Sequence, residues 1–374
     1  MAKKKESKRT LIVDIGTASI AAGYLSAGET GVPLLSNVER VAVGSGTDTS
    51  REALLAQVGE ALTTLLNKFS KEPPTVVHIV LAAPWHNART RTITSKTDKP
   101  VSITQKTIEK AITQYKNEKP PESGNVDVEA VATMVAINGY ATSVHKPVCG
   151  STLRINLYES EVPESIETKV RSVIEKTFPH STHTYNTFPL VAVVALRELM
   201  YATGFVVVDF SGEVTEVAFV YDNSIHHLAT FPIGYYTIAR GLSTNKGTGG
   251  VGDALSRLAL FGRGELNEEE ATVVRTSIKE GLQQWHKAFA ESISEVSEQV
   301  PLPRKMFVIS DKDPQQWLVK ELKESNEHSF VVEPVTAPTV QNSLELGDAG
   351  VYDVFLSLAA IFFHIGKNSV VGEV

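Results

Sequence analysis

The sequence predicts an α/β protein made of two related halves that face each other across a cleft, with a small α+β module inserted in the first half. One observation is a repeated unit, in which a short apolar strand ends in an aspartate and a turn of small residues leads into a second strand. The unit occurs around Asp14 and again around Asp209. The other observation is a strand–strand–helix–strand pattern over residues 76–151. A duplicated unit followed by helices is typical of a fold with two similar halves.

The composition is that of an ordinary globular protein. Of the 374 residues, 42% are hydrophobic and 21% are charged, which is enough apolar material for a core and excludes a largely disordered chain. The formal net charge of −7 argues against a nucleic-acid partner, because binding phosphates requires a basic surface. Cys149 is the only cysteine, which excludes an intramolecular disulfide and a multi-cysteine zinc site. We therefore expect a cytoplasmic protein.

The two ends of the chain are predicted to be short polar tails. Residues 1–10 are basic and lack the apolar stretch of a signal peptide, so they predict a disordered tail. The alternative is a weak electrostatic contact of this tail with an anionic membrane. The longest apolar run, residues 354–365, is too short to cross a bilayer and predicts a buried helix that ends at Gly366. Residues 367–374 form the second tail.

In the first half, the pattern predicts a β-hairpin, a third strand and an amphipathic helix. Apolar residues recur at helical spacing over 51–69, and Pro73 and Pro74 stop the helix. The predicted strands are 11–14, 20–25 and 37–43, and after the inserted module the chain returns with strand 152–158 and helices 161–178 and 190–200. The first half is therefore assigned to residues 11–75 and 152–200.

The inserted module is assigned to residues 76–151. Thr104 is a suitable N-cap for a helix over 105–115. Its predicted strands are 76–83, 90–95 and 128–137.

The second half is assigned to residues 201–366. It begins with a dense β-branched run that ends at Asp209. Its predicted strands are 204–208, 214–221, 225–231 and 306–309, and its predicted helices are 253–261, 268–300 and 352–365. The glycine-rich segment 247–252 lacks the Gly-Lys-Ser/Thr ending of a phosphate-binding P-loop and is interpreted as a connector.

The two acidic turns are the candidate functional site. Small residues let backbone N–H groups approach a phosphate, and carboxylates hold hydrated Mg²⁺. Two such turns on opposite sides of a cleft therefore predict a phosphate and metal clamp. The alternative is that both are plain hairpin turns. The other candidates are weaker: His180 and His183 have no nearby acidic ligand, and Cys149 has no pattern typical of a nucleophile.

The two acidic turns and the inserted module resemble motifs of a known superfamily. Residues 13–17 (Val-Asp-Ile-Gly-Thr) resemble the first phosphate motif of the actin/Hsp70/sugar-kinase ATPase superfamily, and residues 208–212 with Thr215 resemble the second. Residues 83–91, 101–105 and 136–150 resemble the small inserted subdomain (SHS2-like) of the bacterial cell-division protein FtsA, whose architecture the pilus-assembly protein PilM shares. The resemblance spans residues 11–366 and implies two RNase H-like domains around a nucleotide cleft.

The resemblance implies ATP and Mg²⁺ as cofactors. Mg²⁺ would be held through water by Asp14 and Asp209. The nucleotide-binding residues that it implies are Asp14, Gly16, Thr17, Ala18, Ser19, Asp209, Ser211, Gly212 and Thr215. No residue is assigned a catalytic role.

The sequence departs from the superfamily pattern in three of its four nucleotide motifs. Glu213 and Val214 stand where the second phosphate motif is glycine-rich, so they place a charge and a branched side chain near the phosphates. No glycine follows the strand 306–309, and the helix segment 254–258 lacks the glutamate expected to contact the nucleoside. We therefore expect a pseudo-ATPase, or at most a weak ATPase.

The resemblance implies an FtsA-like scaffold in bacterial cell division that self-assembles and links a partner, such as an FtsZ-like tail, indirectly to the membrane. Residues 367–374 are too short for the amphipathic membrane-targeting helix of that family. One alternative is a PilM-like adaptor for a pilus membrane-protein peptide, and another is a small-molecule kinase with Glu213 or Glu216 as its carboxylate. Trp85, Arg89 and Arg91 are the candidate partner-binding residues, and for Trp85 the alternative is a core position.

Overall fold

The computed structural model describes residues 9–44, 50–142, 146–245, 249–298, 300–325, 329–347 and 350–366. They form three β-sheets flanked by helices. The strands are β1 Thr10–Ile15, β2 Ser19–Ala27, β3 Pro33–Ala42, β4 Val76–Leu81, β5 Asn87–Ile103, β6 Asn125–Ile137, β7 Tyr140–Ala141, β8 Val148–Pro163, β9 Thr182–Thr187, β10 Phe205–Phe210, β11 Thr215–Tyr221, β12 Ser224–Phe231, β13 Lys305–Ile309, β14 Val331–Pro334 and β15 Glu345–Leu346. The helices are α1 Arg51–Asn67, α2 Gln105–Glu118, α3 Glu164–Thr177, α4 Phe188–Met200, α5 Tyr235–Asn245, α6 Val251–Arg263, α7 Glu268–Ser297, α8 Lys312–Glu324, α9 Ala337–Val340 and α10 Val354–Ile365.

The duplication predicted from the sequence is present in the sheet topology. The first sheet has the order β15-β3-β2-β1-β4-β9, and the second has the order β12-β11-β10-β13-β14. In each, an antiparallel hairpin (β1–β2 or β10–β11) is extended by a parallel strand (β4 or β13). The two halves therefore repeat one arrangement, with Asp14 and Asp209 at the same position of the first hairpin strand.

Two apolar helices, α4 and α10, lie in the core that both sheets share. Residues 188–196 and 354–362 are almost entirely buried, and they pack against strand residues of both halves such as Ile12, Val207 and Phe307. Because both helices are apolar on all sides, they are stable only with protein around them. Helices α1 and α3 cover the other face of the first sheet, and α5 to α8 cover the other face of the second.

The inserted module has its own four-stranded sheet, in the order β5-β8-β6-β7, with α2 packed on one face. Thr104 caps α2 as predicted, since its side chain accepts a hydrogen bond from the Thr107 backbone N–H. The predicted boundaries of the module are wrong. Strand β4 pairs in parallel with β1 and belongs to the first sheet, and β8 continues to Pro163, so that α3 begins at Glu164 rather than at residue 161.

The predicted end of the second half is also wrong. Strand β15 pairs with β3, and α10 packs on α4 and on the first sheet. The chain therefore returns to the first half before it ends, although the sequence analysis assigned residues 201–366 to the second. Strands β7, β9, β14 and β15 and helices α5, α8 and α9 were not predicted from the sequence. The predicted tail 367–374, most of tail 1–10 and residues 247 and 248 of the glycine-rich connector lie outside the described residues.

Candidate functional site

The two acidic turns have the same backbone geometry. In the first, the N–H of Gly16 donates to the carbonyl of Ser19 at 3.1 Å, and in the second the N–H of Ser211 donates to the carbonyl of Val214 at the same distance. Each turn joins strands that are paired up to its edge. The sequence similarity of the two units therefore corresponds to the same local structure.

The two turns touch each other directly. The backbone N–H of Glu213 donates to the Thr17 hydroxyl at 3.1 Å. A methyl group on Gly212 would lie 2.8 Å from the Ala18 Cβ, which is closer than van der Waals contact allows, so this approach requires glycine. Because the turns are hydrogen-bonded to one another, no phosphate fits between Thr17 and Glu213 in this arrangement.

Asp14, Ala21 and Arg40 form one row across the strands β1, β2 and β3. Asp14 pairs with Ala21, and Ala21 pairs with Arg40. Directly paired residues project from the same face of a sheet, and two strand spacings amount to about 10 Å. Ala21 is small, so the Arg40 side chain reaches over it and places Nη2 at 3.4 Å from Asp14 Oδ2.

Arg40 also contacts two further carboxylates. Its Nε and Nη2 donate to Oδ2 and Oδ1 of Asp353 at 2.7 and 2.9 Å, a bidentate pair that is among the stronger ionic contacts in proteins. Its Nη1 lies 3.6 Å from Asp311 Oδ1, on the loop after β13. The guanidinium also lies 5.1 Å from the centre of the Phe355 ring. Arg40 therefore joins Asp14, the first turn of α10 and the second half.

Burial raises the pKa of Asp14 to about 7 against the opposing effect of Arg40, and Asp353 and Asp311 add smaller upward contributions. Burial also raises the pKa of Asp209 well above its usual range, and Glu216 and Asp14 add to that shift. Within the described part of the chain, Oδ1 of each aspartate is buried and accepts no hydrogen bond from the protein.

The equivalent row of the second half has a different chemistry. Asp209 pairs with Glu216, and Glu216 pairs with Thr230. Glu216 therefore stands where the first half has Ala21, and its Oε2 lies 3.4 Å from Nε2 of the buried His86. This histidine follows β4, so the contact links the first half to the second.

Glu213, the residue that the sequence analysis placed beside the phosphates, is already paired. Its carboxylate accepts hydrogen bonds from Nη1 and Nη2 of Arg240 at 2.9 and 2.7 Å. The start of α5 is held on the same turn, because the N–H groups of Tyr235 and Tyr236 donate to the carbonyls of Ser211 and Gly212. The second turn is thus held by α5.

A cavity of about 350 Å³ opens beside the two turns. Its size is at the lower end of the range for small-molecule sites. Ala18, Ser19 and Arg40 line the side of the first half. The opposite side is largely aromatic and aliphatic: Tyr235, Tyr236, Leu255, Leu258, Ala259, Asp311, Pro314 and Trp317.

Two predicted site residues are core residues in the structure. Trp85 is 1% exposed, packs among the side chains between the first sheet and α1, and donates from Nε1 to the carbonyl of Gly16, so its predicted docking role is wrong. Thr215 is fully buried; its hydroxyl donates to the carbonyl of Ile233 and accepts from Trp285. Since that hydroxyl is bonded inside the second half, its predicted contact with a nucleotide is wrong as well.

Arg89 and Arg91 lie on β5, where the structure leaves them partly exposed. Arg89 is paired with Glu159 and with Glu161, at 2.6 Å to the latter. The Arg91 side chain is about half exposed, and its Nε lies 3.6 Å from Glu159.

The fit of Mg-ATP to the cleft is poor. The unsatisfied Oδ1 atoms of Asp14 and Asp209 suit a hydrated cation, but Arg40 already contacts the other oxygen of Asp14. The joined turns leave no room for the phosphates. Among the described residues, no group of three or more His, Cys, Asp and Glu side chains is arranged to hold a metal. In the same part of the chain, no helix combines the length and apolar character needed to cross a bilayer.

The residues that sequence reasoning missed are Arg40, Asp311 and Asp353. None belongs to a recognisable motif, and their meeting depends on the pairing of β3 and on the return of α10 to the first half. The local signal was the β-branched residues Val38, Val41 and Val43 of the predicted strand over 37–43.

No protein-family model and no curated protein matches the sequence. Among solved structures, PilM in the PilM–PilN type IV pilus biogenesis complex superposes with a TM-score of 0.66 at 13% identity, over 94% of this chain and 98% of that chain. Two others fit less well: the ethanolamine utilization protein EutJ from Carboxydothermus hydrogenoformans (TM-score 0.48, 13% identity, 97% and 93% covered) and a Bacteroides thetaiotaomicron protein with an actin-like ATPase fold and unknown function (0.41, 9%, 97% and 99%). The chain has the actin-like fold, in the form seen in PilM.

Proposed function

We propose that the protein is a PilM-like adaptor that binds an extended, acidic segment of a membrane protein and does not turn over nucleotide. The observation that carries the proposal is the inserted sheet, which is fixed to both halves and leaves one long edge strand, β5, exposed. The similarity in fold to PilM, from a complex with PilN, supports this reading over the division scaffold.

Buried polar contacts fix the inserted sheet in place. On the first half, the Glu129 carboxylate accepts hydrogen bonds from Asn186 Nδ2 at 2.6 Å and from the Thr187 backbone N–H at 3.1 Å. On the second half, the Thr133 and Ser224 hydroxyls lie 2.8 Å apart, and Thr90 donates to the carbonyl of residue 226. A sheet held on both sides presents its edge in a fixed position, which lowers the entropic cost of binding.

The free edge of the sheet favours an extended acidic peptide. Within the described residues, β5 pairs on one side only, with β8, in two stretches separated by an irregularity between Lys96 and Val101, and residues 94–102 are exposed. An edge strand offers main-chain hydrogen bonds to an added strand. Residues 91–102 carry three basic side chains, Arg91, Lys96 and Lys99, against one acidic side chain, Asp98, so acidic side chains are the complementary partner.

The closed cleft argues against the alternative of a small-molecule kinase. The joined turns exclude phosphates, and Glu213, one of the two candidate carboxylates, is paired with Arg240. Glu216, the other candidate, is buried against His86. An adaptor requires none of these groups to be accessible. ATP and Mg²⁺ are therefore not part of the proposed function.

The test is photo-cross-linking in cells from an unnatural residue at Arg91, with Glu269 on α7 as the exposed control position. We expect position 91, and not position 269, to cross-link to the cytoplasmic segment of a single-pass membrane protein of a pilus-type assembly. Cross-links to the tail of a tubulin-like division protein would instead support the FtsA-like scaffold.

Binding is then measured with a synthetic peptide of the cross-linked segment, by fluorescence anisotropy. We expect Arg91→Glu to weaken binding about tenfold or more, because charge reversal turns an attraction into a repulsion. Lys106→Glu, the same change on the exposed face of α2, is the matched control and should leave the affinity unchanged. Equal effects of the two variants would contradict binding along β5.

A further inference from the structure

We propose that Arg40 is a built-in cation that takes the place of a hydrated metal beside Asp14 and holds the two halves closed without a nucleotide. The inference concerns the cleft alone and does not rest on the proposed partner. The cleft holds two aspartate oxygens without a hydrogen-bond partner among the described residues, which suits a metal ion. It has no room, however, for the phosphates that would accompany a metal.

Three carboxylates from three separate segments converge on one guanidinium. Asp353 lies at 2.7 Å, Asp14 at 3.4 Å and Asp311 at 3.6 Å from the nearest Arg40 nitrogen. A planar group with five N–H donors is suited to several carboxylates at once. A hydrated divalent ion serves the same purpose in an acidic cleft, since it neutralises carboxylates that would otherwise repel each other.

The contact with Asp311 gives Arg40 its closing role. Asp14 and Asp353 belong to elements that pack in the first half, whereas Asp311 follows β13 of the second half. Asp311 is also fixed within its own half, because the Tyr235 hydroxyl donates to its Oδ2 at 3.2 Å. The Arg40 side chain is a quarter exposed, so it spans the cleft at its mouth rather than deep in the core.

Arg40 also disfavours a second cation. It occupies Asp14 Oδ2, and a divalent ion on the remaining oxygen would stand within a few ångströms of the guanidinium, where like charges repel strongly at low dielectric. The cleft therefore selects against Mg²⁺ as long as Arg40 is in place. Removal of Arg40 leaves three acidic groups without their shared counter-charge, and a divalent ion then has a site.

The test compares wild type with Arg40→Gln, which removes the charge, and Arg40→Lys, which keeps it. The Tm of each protein is measured with and without millimolar Mg²⁺. Ca²⁺ at the same concentration and Na⁺ at a matched concentration serve as comparison ions. We expect Mg²⁺ to leave the wild-type Tm unchanged and to raise that of Arg40→Gln, with Arg40→Lys close to wild type. An equal Mg²⁺-dependent rise in wild type, or no rise in Arg40→Gln, would overturn the proposal.

Closure is measured separately, by hydrogen exchange of the turn residues 16–19 and 211–214. We expect exchange at both turns to be about tenfold faster in Arg40→Gln. Asp311→Asn weakens the contact across the cleft and leaves the bidentate pair between Arg40 and Asp353 in place. We expect it to speed up hydrogen exchange at the same turn residues, and it tests the proposal even if Arg40→Gln does not fold. Arg171→Gln, which removes a surface pair with Glu167 on α3, is the control and should leave both turns unchanged. Unchanged exchange at the turns in Asp311→Asn would rule out the closing role.

Discussion

Replacing Asp14 by asparagine is expected to remove part of the pH dependence of stability. Burial raises the pKa of this carboxyl from 3.8 to about 7 in the folded protein, so between these values the native state keeps a proton that the unfolded chain releases. Stability therefore falls as the pH rises through this window and is constant on either side of it. Asparagine does not titrate and removes this contribution, while Arg40 keeps its bidentate pair with Asp353.

The magnitude follows from the two pKa values. One pKa unit corresponds to about 1.4 kcal/mol, so the full window from 3.8 to about 7 amounts to roughly 4 kcal/mol. Roughly 1.5 kcal/mol of this change falls below about pH 5, which leaves about 2–3 kcal/mol between about pH 5 and about pH 8. The free energy of unfolding of Asp14→Asn minus that of wild type should therefore increase by this amount over that interval.

The assay is urea unfolding followed by tryptophan fluorescence at several pH values. Other buried acids titrate in both proteins, and their contribution cancels in the difference. Asp209 is the exception, because Asp14 contributes to its raised pKa. Asp222→Asn, at an exposed turn position with a positive φ that asparagine tolerates, is the matched control. A difference between Asp14→Asn and wild type that stays constant from about pH 5 to about pH 8 would refute the assignment of a raised pKa to Asp14.

Two further predictions concern the second turn. Gly212→Ala should destabilise the protein by about 1–3 kcal/mol in urea unfolding, because the new methyl group meets Ala18 at 2.8 Å. Gly241→Ala in α5, where nothing lies within 4 Å, should be neutral or stabilising, and an equal loss in both would contradict the close approach of the turns. Glu213→Gln should cost about 1 kcal/mol or more by leaving the Arg240 guanidinium underpaired, and a double-mutant cycle with Arg240→Gln should show coupling between the two.

The sequence was sufficient to predict the duplicated half and the position of its two aspartates. In both units the aspartate pairs with the residue seven positions further along the chain, Asp14 with Ala21 and Asp209 with Glu216, so local pattern and turn chemistry place the two aspartates at equivalent positions. The cap of α2 by Thr104 was predictable for the same reason, because a capping residue and its helix are neighbours in sequence.

What the sequence could not predict depends on contacts between distant segments. Residues 76–81 are apolar enough for either the inserted sheet or the first sheet, and only the parallel pairing with β1 decides between them. Trp85 next to Pro84 resembles an exposed aromatic anchor, but the N–H that it donates to Gly16 fixes it in the core. Arg40 and Asp353 are more than 300 residues apart, so their pair follows from the tertiary fold alone.

The sequence features that departed from the nucleotide-binding pattern are balanced by other residues of the chain. Glu213 adds a charge to the second turn, and Arg240 on the adjoining α5 pairs with it through two hydrogen bonds. Asp14 keeps the acid of the first motif, and Arg40 supplies the positive charge beside it. A nucleotide site under this arrangement would have to break both ion pairs and the bond between Thr17 and Glu213 before a phosphate entered. The two proposals are consistent with each other: the cleft would hold the two halves in a fixed relative position, and the inserted sheet, which contacts both halves, would be the surface that binds the partner.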